Sequence, residues 1–149
     1  MKKTAILFLS TVVTIAVSAA EKPPIDYERY RREAREVFIV HVEKAKSETV
    51  ADGKHRYQYA LVRARVLKVE RGRVGVSAGE TVYIRYISRF LTSPGTTMPL
   101  LKEGKSYRAY LNLILDRSPN SLHEKAFPEW DYNRQFFPCV DVKSFEEAG

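Results

Sequence analysis

The strongest constraint on the fold is a two-residue alternation between Tyr57 and Val66. Small and β-branched residues occupy every second position, namely Ala60, Val62, Ala64 and Val66. The positions between them are aromatic, aliphatic or basic, namely Tyr57, Tyr59, Leu61, Arg63 and Arg65. Because successive side chains of a strand point to opposite faces, this pattern predicts a strand with one face in a core. From Leu67 onward the apolar residues change parity, so we expect a β-bulge or bend near Val66 and Leu67.

Four other segments carry strand signals. Residues 37–42 are a short run of β-branched and aromatic side chains, residues 136–142 offer a final strand, and residues 80–87 and 107–115 alternate. In the two alternating segments, the predicted inward side chains are Val82, Ile84, Tyr86, Tyr107, Ala109, Leu111, Leu113 and Leu115. A short helix is predicted over Tyr27–Glu36, because Asp26 is a favourable N-cap and helix-forming residues follow it.

The order of these segments predicts the fold class. Irregular stretches are expected at residues 93–99, which hold two Pro and one Gly, and at residues 116–133. No rhythm of alternating strands and helices is present, which disfavours a parallel sheet. Short, strongly bent strands are what a small closed sheet requires. We therefore expect a mainly β protein, a small antiparallel five-stranded OB-like barrel with a short N-terminal helix.

The first twenty residues have the pattern of a signal peptide. Lys2 and Lys3 precede an apolar run that extends to Val17, and the small residues Ala19 and Ala20 then precede Glu21. The run is shorter than the roughly 20 residues that cross a bilayer, so no membrane span is expected after cleavage. Residues 21–149 are then expected to form a single barrel domain with an irregular C-terminal extension, and the protein is expected to be periplasmic or secreted.

Three stretches resemble a known family. They are Val66-Leu67-Lys68-Val69-Glu70-Arg71-Gly72, Ala78-Gly79-Glu80-Thr81-Val82, and Leu101-Lys102-Glu103-Gly104-Lys105-Ser106-Tyr107 with Tyr110-Leu111. This pattern over residues 37–115 resembles the OB-fold domains related to tissue inhibitors of metalloproteinases and the netrin module. The resemblance implies a barrel scaffold. Inhibition in that family depends on an N-terminal Cys and on disulfides, whereas this chain has only Cys139, so the resemblance does not extend to that mechanism.

Signals for catalysis and for cofactors are weak. The histidines His41, His55 and His123 lack the spacing of a zinc site, and no nucleophile elbow, phosphate loop or dinucleotide motif is present. We therefore expect no cofactor, no metal and no enzymatic activity. A small hydrolase stays as a weaker alternative, whose sign would be a pocket that gathers His123, Glu124 and Asp131.

The outward face of the predicted sheet is rich in Tyr and Arg. Its candidate binding residues are Tyr57, Tyr59, Arg63, Arg65, Tyr83, Arg85, Arg108 and Tyr110. Aromatic rings stack on sugars, and guanidinium groups bind carboxylate or phosphate through paired hydrogen bonds, although both residue types are also common on solvent-facing strands. The formal charge is +7, or +5 without Lys2 and Lys3 of the signal peptide; it suits an anionic partner, although solubility alone also explains a basic surface.

These features give a leading functional prediction and one alternative from another class. We expect an exported, non-enzymatic binding or inhibitory module that engages an anionic polysaccharide or an envelope protein through this face and residues 89–105. Nucleic acid is not expected, because exported proteins rarely meet it. The alternative is a structural subunit of a cell-envelope assembly.

Overall fold

The structure is a computed structural model that describes residues 24–92 and 97–148. The predicted signal peptide, residues 1–20, and part of the predicted loop at 93–99 lie outside the described residues. The elements are α1 (Tyr27–Glu33), β1 (Glu36–Asp52), β2 (His55–Arg71), β3 (Thr81–Phe90), β4 (Ser106–Leu113), α2 (Ser121–Ala126), β5 (Gln135–Pro138), a 3-10 turn (Val142–Ser144) and β6 (Phe145–Glu147). No helix within the described ranges is long and apolar enough to cross a membrane.

Five of the strands close into a ring. The neighbours run β1, β2, β3, β5 and β4, and β4 returns to pair with β1. The pairing of β3 with β5 is parallel and the other pairings are antiparallel. A short sixth strand, β6, joins β4 beside β5. This closed arrangement confirms the predicted mainly β, OB-like barrel class.

The predicted bend in β2 is a β-bulge. Ile39 of β1 pairs with Lys68 and Val40 pairs with Val66, so Leu67 between them has no partner on β1. A residue without a partner bends the strand and changes which face the following side chains occupy. The bulge therefore accounts for the change of parity in the sequence and lets the 17-residue β1 and β2 curve around the barrel.

The barrel interior contains the side chains that the alternation placed there. Fully or almost fully buried residues of this core include Phe38, Val40, Val42, Ala60, Val62, Ala64, Val66, Val82, Ile84, Tyr86, Tyr107, Ala109, Leu111 and Phe136. The prediction is wrong for Leu115, which is 81% exposed. The physical reason is that β4 ends at Leu113, so the strand alternation does not continue to residue 115.

The N-terminal helix begins as predicted and ends earlier. The Asp26 side chain accepts a hydrogen bond from the Arg29 amide at 3.0 Å, which satisfies a free N–H group of the first turn. At the other end, Arg71 Nη1 donates to three carbonyl oxygens, those of Arg31, Arg32 and Ala34. The helix therefore stops at Glu33, three residues before its predicted end, because the chain enters β1 at Glu36.

The connection between β4 and β5, residues 114–134, packs on the outside of the barrel. Its helix α2 and the following residues bury Leu61 of β2 and Tyr83 of β3 beneath Ala126, Phe127 and Trp130. The rings of Tyr83 and Trp130 lie 4.7 Å apart. A second, smaller core thus covers much of the outer face of β2 and β3, over a stretch that we predicted to be irregular.

Candidate binding groove

A groove runs along the uncovered part of β3. It lies between β3 and the residues that follow β4, has a volume of about 540 Å³, and is lined by Tyr59, Arg85, Tyr86, Ile87, Leu113, Ile114, Leu115 and Phe137. Ile87 is 38% exposed and Phe137 is 42% exposed. Beyond Ile87, the exposed ring of Phe90 lies 6.1 Å from the Tyr57 ring and extends the apolar surface. Contiguous apolar surface of this kind marks interaction sites on soluble proteins.

The cation in this groove is Arg85, and its side chain is incompletely paired. Arg85 Nη1 donates to Tyr59 Oη at 2.8 Å. Its Nε is buried and has no hydrogen-bond partner among the described residues. A buried N–H group without an acceptor costs free energy, and more so when the group is charged. Because this Nε is enclosed by the protein, a ligand in the groove can contact Arg85 only through its terminal nitrogens.

Comparison with the other half-buried arginines shows that the incomplete pairing of Arg85 is unusual. Five of them contact a carboxylate or several carbonyl oxygens, namely Arg31 with Glu146, Arg63 with Glu129 and Glu43, Arg71 with the end of α1, Arg108 with Glu70 and Glu146, and Arg134 with Glu80. Within the described ranges, Arg85 is the sixth, and it has neither kind of partner. Asp116 lies farther from Arg85 than an ion pair, although the charge of Arg85 adds to the Ser118 hydrogen bonds in lowering the pKa of the Asp116 carboxyl.

The connection between β4 and β5 closes the groove at one end. Tyr83 precedes Arg85 on the same face of β3, and it is buried under Phe127 and Trp130. Its burial raises the pKa of the Tyr83 phenol to about 12. The groove consequently begins at Arg85 and opens toward Ile87 and Phe90.

His123 of α2 forms part of the same closure. Its ring stacks on Tyr59 at 6.0 Å and on Trp130 at 4.7 Å. His123 is only 2% exposed, and neither ring nitrogen has a hydrogen-bond partner within the described residues. Burial, with a smaller effect from the positive charge of Arg85, lowers the pKa of His123 to about 4. The imidazole is therefore neutral at pH 7.

The structure divides the eight predicted binding residues among several places. Tyr59 and Arg85 line the groove, and Tyr57 adjoins it. Tyr83 is buried, Arg63 is paired with Glu129 at 2.6 Å, and Arg65 is exposed farther along β2. Arg108 pairs with Glu70 and Glu146, while the Tyr110 ring receives the Arg31 guanidinium at 5.6 Å.

The expectation of one continuous exposed face is therefore wrong in two respects, and each has a physical cause. In the ring, β5 separates β3 from β4, so Arg108 and Tyr110 do not adjoin Arg85. The β4–β5 connection also covers Tyr83. Whether the remaining residues bind a partner stays a prediction.

Sequence reasoning missed the apolar walls of the groove. The alternation predicts Leu115 as an inward side chain, and it places Ile114 and Phe137 in strands without indicating that they line a groove. A usable signal was present, since Leu115 is followed by Asp116, Arg117 and Ser118, which end the alternation. An aliphatic residue at the edge of a polar stretch is a candidate for an exposed wall.

The candidate hydrolytic residues do not form a catalytic arrangement. His123 contacts aromatic rings, whereas Glu124 accepts a hydrogen bond from Tyr132 Oη and Asp131 lines a separate cleft with Arg63 and Glu129. No group of three or more His, Cys, Asp or Glu side chains in the described part of the chain is placed to hold a metal ion.

Comparisons with protein-family models, with curated proteins and with solved structures find no match to this chain. The resemblance to the netrin-module superfamily, which concerns the scaffold only, therefore stays a prediction. The groove has to be interpreted from its own chemistry.

Proposed function

We propose that this chain is an exported, non-enzymatic binding module that engages a protein partner through the groove. The observation that carries the proposal is Arg85, which lines a groove with apolar walls and forms no salt bridge with the described residues. Protein interfaces combine a buried apolar centre with aromatic residues and Arg, and the groove has this composition. Export is supported by the leader-like pattern of residues 1–20.

A protein partner suits the groove better than a polysaccharide does. Sugar binding by stacking needs the free face of an aromatic ring, yet Tyr83 is buried and one face of Tyr59 is occupied by His123. The walls are formed mainly by Ile, Leu and Phe side chains, which offer sugars few hydrogen bonds. An apolar segment that carries one negative charge would satisfy both the walls and Arg85.

The proposal is tested with a defined probe and a matched pair of variants. Anilinonaphthalene sulfonate combines an apolar ring system with one negative charge, so its fluorescence should rise on binding to the parent protein. Ile87→Asp places a carboxylate in the wall and should abolish the rise. Leu67→Asp makes the same change at the exposed β2 bulge and should leave the rise intact.

A selection for peptide ligands completes the test. Random peptides displayed on phage in two libraries, one with free C-terminal ends and one with C-terminal ends joined to the coat protein, should give a consensus from at least one library on the parent and on Leu67→Asp, and none on Ile87→Asp. Equal selection on all three proteins would refute the groove as the binding site. If light scattering shows a stable oligomer that Ile87→Asp dissociates, the groove holds another copy of this chain, as the structural-subunit alternative requires.

A further inference from the structure

We infer that the groove recognises the C-terminal end of a polypeptide, with the terminal carboxylate at Arg85 and an apolar last side chain between Ile87 and Phe137. This inference rests on the proposed function and specifies the chemistry of the partner. Three features of the groove support it: its hydrogen-bond donors, its closed end and its apolar walls.

The donors match a carboxylate. Arg85 lines the groove and forms no salt bridge with the described residues, and Tyr59 Oη accepts from Arg85 Nη1 at 2.8 Å. Because the Tyr59 hydroxyl uses a lone pair in that bond, its proton is available to a second acceptor. A carboxylate offers two acceptor oxygens in one plane and binds guanidinium through charge-assisted hydrogen bonds. One guanidinium in apolar surroundings also balances the single charge of a carboxylate better than the larger charge of a phosphate.

The closed end favours a chain terminus over an internal acidic residue. Tyr83, the neighbour of Arg85 on the outer face of β3, is buried beneath Phe127 and Trp130. A chain that enters from Phe90 and runs along β3 meets this barrier at Arg85. An internal Asp or Glu would require the chain to continue past the barrier, whereas a C-terminal residue ends there.

The walls define the last side chain. Arg85 and Ile87 lie on one face of β3, so their Cα atoms are about 6.7 Å apart, which is two residues of extended chain. A residue whose carboxylate contacts Arg85 therefore places its side chain near Ile87, Leu115 and Phe137. These walls are aliphatic and aromatic, so Leu, Ile, Val or Phe is the expected last residue.

The openness of the groove favours a polypeptide over a free fatty acid. Leu115 is 81% exposed, so an acyl chain in the groove would keep one side in water. A polypeptide would cover that side and would also reach the exposed rings of Phe90 and Tyr57. A macromolecular partner therefore buries more of the apolar surface that the structure exposes.

The test compares two labelled peptides by fluorescence anisotropy. Both are fluorescein-labelled heptapeptides that end in Val-Leu, one as the free acid and one as the C-terminal amide. Loss of a charge-assisted hydrogen bond should weaken binding of the amide by at least about tenfold. Arg85→Gln should remove this difference. Arg85→Lys keeps the charge but not the planar guanidinium with its paired N–H donors, so it should retain part of the difference. Arg32→Gln, an equal charge change on exposed α1, should leave the full difference.

Several results would overturn the inference. Equal binding of acid and amide by the folded parent, with loss of both in Ile87→Asp, would refute the carboxylate while leaving the proposed function in place. If an amidated peptide with Asp in place of its last Leu binds as tightly as the free-acid peptide, recognition of a chain end is refuted. Dodecanoate that binds as tightly as the free acid and depends equally on Arg85 would identify a fatty acid instead. Failure of every peptide to bind, with no consensus in the display selection, would refute both proposals.

Discussion

Replacement of His123 by Phe should make the stability of the protein less sensitive to acid. His123 is stacked between Tyr59 and Trp130, and neither ring nitrogen has a partner among the described residues. Protonation would place a charge in this apolar stack beside the positive charge of Arg85. For this reason the pKa of His123 in the folded protein is lowered to about 4, from an ordinary value of 6.5.

The direction and size of the effect follow from linkage. Between the folded and unfolded pKa values, the unfolded chain binds a proton that the folded chain does not, so acid favours unfolding. The contribution of neutral His123 is fully present above about pH 6.5 and is lost as the pH falls through about 4. At about 1.4 kcal/mol for each unit of pKa, the loss over this window is about 2 to 3 kcal/mol.

The assay is urea unfolding of the parent and of His123→Phe at about pH 7.5, about pH 5.5 and about pH 4. Trp130, the single tryptophan, lies 4.7 Å from His123 and reports on the stack, while circular dichroism reports on the barrel. Acidic groups with lowered pKa values, such as Glu129 and Asp116, are present in both proteins, so their contribution cancels in the comparison.

The free energy of unfolding of the variant minus that of the parent should increase by about 2 to 3 kcal/mol as the pH falls across this range. Parallel pH profiles for the two proteins would refute the reasoning, because they would show that His123 titrates alike in the folded and unfolded states. If Trp130 fluorescence changes at a higher pH than circular dichroism, the β4–β5 connection opens before the barrel unfolds.

Three further substitutions test other parts of the structure. Leu61→Ala removes a fully buried side chain beneath the β4–β5 connection and should lower the free energy of unfolding by about 2 to 5 kcal/mol in urea denaturation. Glu36→Ala removes the buried carboxylate whose oxygens accept from the Arg73 amide at 3.0 Å, and should lower the free energy of unfolding by about 1 to 3 kcal/mol. A decrease below about 0.5 kcal/mol would mean that water replaces the carboxylate as the acceptor. Gly53→Ala forces a Cβ onto a turn residue with φ of 59° between β1 and β2, and should lower the thermal midpoint with a cost of about 1 kcal/mol.

The barrel could be predicted because one face of each strand is in the core. The small and β-branched side chains of β2 repeat every two residues, and the bulge at Leu67 appears in the sequence as a change of that parity. Burial imposes this two-residue pattern wherever one face of a strand is excluded from water. The outline of the fold therefore required no information beyond periodicity and turn residues.

The outer surface could not be predicted in the same way. Alternation shows that Leu61 and Tyr83 point out of the barrel, but not whether another part of the chain packs on them. That depends on the β4–β5 connection, whose helix has six residues and too few turns for a clear 3.6-residue pattern. The available sign in the sequence was Leu61, an aliphatic residue between Tyr59 and Arg63 on the outward face, which the structure buries fully.

The position of that connection determines which surface is left for a ligand. In OB folds the outer face of strands 2 and 3 and the adjoining loops commonly bind oligonucleotides or oligosaccharides. Here Phe127 and Trp130 occupy that face and bury Tyr83, which removes the stacking surface that such ligands use. What remains is the margin, where β3 emerges from beneath the connection and Arg85 lies beside aliphatic walls without a salt bridge to the described residues. This covered stacking face is the physical basis for our proposal that the partner is an apolar, negatively charged segment rather than a sugar or a base.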